Sequence, residues 1–97
     1  MNNKIHKHTF VKYETKHVVH LPFMAEVLTV KKQGNNICLW FSFDIRNVTE
    51  EIRVFEFFET GEEILDFEDY KYITTLLFRD DTYVLHIFEN TKEREQL

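Results

Sequence analysis

The run Ile37-Cys38-Leu39-Trp40-Phe41-Ser42-Phe43-Asp44 alternates: its odd positions are all large and apolar, and its even positions are Cys, Trp, Ser and Asp. A period of two with one apolar side is the signature of a strand that buries one face. Residues 26–33 before it are rich in β-branched side chains and end polar, and Gly34-Asn35-Asn36 separates the two runs. Glycine and asparagine tolerate the positive φ of a tight turn, so 26–33 and 37–44 are predicted to form a hairpin.

The same reading extends along the chain. Residues 70–79 and 83–89 flank Asp80-Asp81-Thr82, a second hairpin signal. In the last of these strands Tyr83, Leu85 and Ile87 alternate with Val84, His86 and Phe88, so both faces are expected to be covered. Such a strand is central in a sandwich or buried at an interface between copies. Residues 52–58 read as a further strand, with Thr60-Gly61 as its turn; 9–13 and 17–21 are shorter candidates, the second ended by Pro22. Residues 62–70 could form one short helix, and 1–7 and 90–97 read as flexible ends. The expectation is a single all-β domain over 1–97, a small antiparallel sandwich or barrel of six to seven strands.

Composition narrows the function classes. Ten Phe, four Tyr and one Trp in 97 residues suit a packed domain. No stretch reaches the roughly 20 apolar residues of a membrane helix, and the N-terminal residues lack an apolar signal core. A cytoplasmic location and no membrane association are expected. One cysteine, Cys38, excludes an internal disulfide and a cysteine-based zinc site. Charge is uneven. Residues 1–33 hold six lysines against two glutamates, while 50–69 hold nine carboxylates against Arg53 alone. That balance argues against direct DNA binding, which rests on neutralising phosphates.

Chemistry-bearing constellations are sparse. His6-x-His8 and His17-x-x-His20 lack a further ligand pair at metal spacing, so no metal or other cofactor is expected. His86 sits within an apolar strand, and Cys38 shares its face with Trp40, Ser42 and Asp44; neither has an orienting third group, and no catalytic function is expected. Neither a phosphate-cradling glycine loop nor a nucleophile elbow occurs.

Several stretches carry a resemblance: Leu21-Pro22, Ala25-Glu26-Val27-Leu28-Thr29-Val30, Gln33, Cys38-Leu39-Trp40, Thr60-Gly61, Tyr72-Ile73 with Thr75, and Val84-Leu85-His86-Ile87-Phe88-Glu89. The chain resembles small phage and prophage proteins that carry a domain of unknown function with an LPxxAExLxV…CLW…HxFE pattern. It departs from them between 47 and 69, where it is unusually acidic and Phe-rich. The resemblance implies a shared β fold and a phage-type origin, without a chemistry.

The leading expectation is a non-catalytic accessory protein, active in the host cytoplasm, that binds and inhibits a host defence protein. The partner would be a basic or nucleic-acid-binding protein met by an acidic surface of Glu50, Glu51, Glu56, Glu59, Glu62 and Glu63. One alternative is a sponge for a nucleotide signal, with Trp40, Arg53, Tyr72, Arg79 and His86 as ligand-binding residues. Another is a structural role in the virion. Strands apolar on both faces also suggest a homo-oligomer.

Overall fold

The alternating run is strand β4 (Asn36–Asp44), the middle strand of a three-stranded sheet, flanked by β1 (Asn3–Thr9) and β3 (Glu26–Gln33). Its odd residues Ile37, Leu39, Phe41 and Phe43 face the core, and Trp40 and Ser42 point outward. A computed structural model describes residues 2–11 and 14–97. A second sheet of four strands has the order β2 (Lys16–Pro22), β5 (Glu50–Glu59), β7 (Tyr83–Gln96), β6 (Tyr70–Phe78). Every strand pair is antiparallel, and the two sheets enclose one core. The all-β sandwich of seven strands is the expected fold.

The core explains why these sequences extend. Val30, Leu39 and Phe41 of the first sheet meet Val19, Leu21, Phe55, Phe57 and Ile87 of the second. Phe55 and Ile87 are completely buried, which stabilises the fold by about 1.5–3 kcal/mol for each side chain. Phe10 and Ala25, from the connections before β2 and β3, plug the ends of this layer. β7 lies between β5 and β6, so its two apolar faces are those of a central strand. Its position also forces the β5–β6 connection, residues 60–69, to cross outside β7.

The expected β3–β4 hairpin takes its positive φ at Gly34 (φ +60°), and Asn36 already pairs with Gln33. A positive φ at the first central residue alone is the type II′ hairpin geometry, which favours glycine there. The helix expected at 62–70 reduces to a single 3-10 turn at Phe67–Asp69. Ile64, Leu65 and Phe67 make no helical stripe, so a longer helix would have no apolar face to bury. The 9–13 candidate is replaced by β1, which ends at Thr9; Tyr13 and Lys12 lie outside the described residues.

The ends differ most. Residues 3–9 are laddered along β4, from Asn3↔Asp44 to Thr9↔Cys38. Residues 90–96 extend β7 and pair with the start of β5, and the Leu97 amide donates to the Glu50 carbonyl at 3.0 Å. Between Val54↔Asn90 and Ile52↔Glu95 the strand β7 bulges. Asn90 closes the bulge: its Oδ1 accepts the Lys92 and Glu93 amides, and its Nδ2 donates to Glu56. Backbone pairing and one buried amide hold these polar segments where apolar periodicity is absent.

Candidate functional site

The acidic window does not form one surface. Glu50 and Glu59 occupy opposite ends of the ten-residue β5, about 30 Å apart along an extended strand. Glu51 is only 2% exposed and Arg53 4%. The Arg53 guanidinium donates to both carboxylate oxygens of Glu89 (2.7 and 2.8 Å) and to the Ala25 carbonyl. Glu89 is itself 3% exposed. Glu51 sits 3.7 Å from Arg53 and accepts from Arg94 at 2.7 Å. Glu51 therefore leaves the docking set, and Arg53 leaves the ligand set, because both belong to a buried, charge-balanced network. That network ties β5 and β7 to the turn before β3. Glu56 is likewise engaged, accepting from the Tyr70 hydroxyl at 2.8 Å and from Asn90. Burial first, and then the Glu56 carboxylate, push the Tyr70 phenol up to about 12.

What remains acidic and open is the crossover. Glu59, Glu62, Glu63, Asp66 and Glu68 are exposed, and among the described residues only Asp69 of this segment approaches a lysine, Lys92 at 3.8 Å. Between them Leu65 is 71% exposed and Phe67 58%. The segment is anchored from beneath. The Phe67 ring stands edge-on to Phe88 at 5.8 Å, and Phe88 also meets Phe58, Tyr70 and Tyr72. Thr60 Oγ1 lies 2.8 Å from His86 Nε2, while His86 Nδ1 lies 2.9 Å from Thr75, whose hydroxyl meets that of Tyr72. His86, through Thr60, and Phe88, through Phe67, therefore fasten the crossover to the outer face of the four-stranded sheet.

The aromatic and arginine candidates are not brought together. Trp40 lies on the outer face of the three-stranded sheet, and Tyr72 and His86 on the outer face of the other. Cys38 is buried against Thr9 on the Trp40 face, with His86 in the other sheet, so the two form no pair. Arg79 lies at a cavity. That cavity, about 710 Å³, opens at the end of the sandwich where the β1–β2, β3–β4 and β6–β7 connections meet. Phe10, Ile37, Phe57, Phe78, Tyr83 and Leu85 line it, with Glu14, Thr15, Asn35 and Arg79 supplying polar groups. Sequence reading missed this cleft because its walls come from four distant segments.

Two histidines border its Phe10 wall. His17 is buried, its ring 4.8 Å from Phe10 and 4.5 Å from Phe57, and its Nε2 meets the Glu14 carbonyl at 2.9 Å. Burial lowers its pKa below the ordinary 6.5, against an opposing pull from Glu14. His8, 5.3 Å from Phe10, is lowered by burial and then by His17. Folding thus favours the neutral rings. Their contribution is present above about pH 6.5 and is lost as the pH falls below it. The urea midpoint is expected to drop between about pH 7.5 and pH 5, and His17→Asn should flatten that drop. An unchanged pH profile in the variant would show that His17 is not responsible.

Among the described residues, no three His, Cys, Asp or Glu side chains gather as a metal site, and no helix is long and apolar enough to cross a membrane. Fold and surface together define a small β-sandwich with an anchored acidic crossover and an open end cleft. The chain belongs to the family described as Domain of unknown function (DUF7352), which matches residues 1–97. No curated protein and no solved structure matches it.

Proposed function

We propose that this chain is a non-catalytic accessory protein of the phage type, which docks its acidic crossover on a basic surface of a host protein and blocks it. One observation carries the reading. Segment 59–69 holds six carboxylates and no basic residue, and they surround the exposed Leu65 and Phe67. Carboxylates steer association with a basic surface, while a leucine and a phenylalanine offer apolar area to bury at its centre. Phe88 and His86 hold the segment before contact, which lowers the ordering cost of binding. Of the acidic residues expected to dock, Glu59, Glu62 and Glu63 fit this surface, and Glu68 joins them.

The test compares the tagged chain with a Glu59→Lys/Glu62→Lys/Glu63→Lys/Glu68→Lys variant in capture from host lysate. The native chain is expected to retain a stoichiometric protein at low salt and to release it as salt rises. The variant should lose it while melting at a similar temperature, because the four side chains are exposed. Equal capture by both chains would contradict the reading.

A further inference from the structure

We infer that the end cleft is a binding site for a small planar aromatic ligand that carries an anionic group. Its size suits such a ligand: about 710 Å³ falls in the range of small-molecule sites, roughly 300–1,000 Å³. Its walls suit a ring, since Phe57, Phe78 and Tyr83 of the four-stranded sheet and Phe10 of the β1–β2 connection present aromatic surface. One cation, Arg79, lines it, and a second, Lys32, lies over the ring of the lining residue Phe78. The Arg79 guanidinium lies 5.3 Å from the Tyr83 ring centroid, and the Lys32 ammonium stands 4.9 Å over Phe78 while donating to the Leu77 carbonyl. Among the described residues no carboxylate lies within 4.0 Å of Arg79, so it can meet an anion at the mouth. Glu14, also in the lining, suits an N–H donor on the ring. Glu59 accepts from the Tyr83 hydroxyl at 3.4 Å, and Asp80 and Asp81 of the same turn do not line the cleft.

The backbone supplies an independent reason. Arg79, Asp80 and Asp81 all have left-handed φ, at +53°, +54° and +68°. Aspartate tolerates this region and arginine has no local device for it, so an arginine there carries a conformational cost that glycine or asparagine would avoid. The turn is clamped nonetheless: the Thr82 amide and hydroxyl both donate to the Arg79 carbonyl, at 3.2 and 2.6 Å. A strained residue fixed at the mouth of a cavity, with its charge over an aromatic wall, is where a binding function offsets a stability cost.

The experiment is an amide-shift titration of the full chain with adenosine 5′-monophosphate and with indole-3-acetate, each to about 5 mM, in the range of weak binding. Their uncharged counterparts, adenosine and indole, are run alongside. At least one anion is expected to shift the amides of Ile37, Phe57, Arg79 and Leu85, and its neutral counterpart to bind roughly tenfold more weakly or worse. A response to the nucleotide alone assigns the anion as a phosphate; a response to the acetate alone assigns it as a carboxylate. Arg79→Asn should melt at or above the native temperature yet lose roughly tenfold in affinity, and Arg79→Lys should keep part of it. Absence of cleft shifts with both anions, equal binding of the neutral compounds, or full affinity in Arg79→Asn would overturn the assignment.

Discussion

Arg53→Met is expected to cost the domain about 3–5 kcal/mol, because it leaves the Glu89 carboxylate buried without its bidentate partner. In a domain of this size that corresponds to a loss of more than about 10 °C in melting temperature. The cost is an orphaned charge more than a lost attraction. Desolvating two ions consumes much of what their pairing returns, so removing both together is far milder than removing one. The Arg53→Met/Glu89→Leu double variant should therefore recover most of the loss, with Glu51 still held by Arg94. Thermal melts of native, single and double variants decide it. A double variant no better than the single would mean that the pair contributes something other than charge balance.

Phe88→Ala is the second large effect, expected near 3 kcal/mol. Phe88 is buried on the outer face of β7, beneath the crossover and against Phe58, Phe67, Tyr70 and Tyr72. Truncating it removes a buried ring and leaves a cavity that the fixed strands cannot close. The crossover loses its seat, so residues 60–69 should exchange amide hydrogens much faster while the inter-sheet core stays protected. Phe67→Ala is the internal comparison: its ring is mostly exposed, and its loss should cost under about 1 kcal/mol. Similar costs for both would mean that the crossover is held elsewhere.

Strands with an apolar face were legible from alternation. β4, β2 and the first half of β7 follow it, β5 shows it from Phe55 to Phe57, and β3 and β6 were legible instead from β-branched content and the turns beside them. β1 (NKIHKHT) and the NTKEREQ half of β7 were not legible, because both are exposed and held by backbone pairing rather than burial. The buried ion network had a sequence signal that charge counting overlooked. Glu51 and Arg53 share a parity with Phe55 and Phe57, and Glu89 with Leu85 and Ile87, so opposite charges lie on the apolar face of two strands. Counting acids within a window treated them as surface. The crossover was beyond sequence reading for a topological reason: residues 60–69 look like a plain connection until β7 takes the place between β5 and β6.

The docking account is tested most directly by hydrogen-exchange mass spectrometry of the chain alone and with its captured partner. Protection on binding is predicted to concentrate in peptides spanning 59–69, where the exposed carboxylates, Leu65 and Phe67 lie. Protection confined instead to β1 and β4, on the Trp40 face of the other sheet, with 59–69 exchanging as in the free chain, would contradict it.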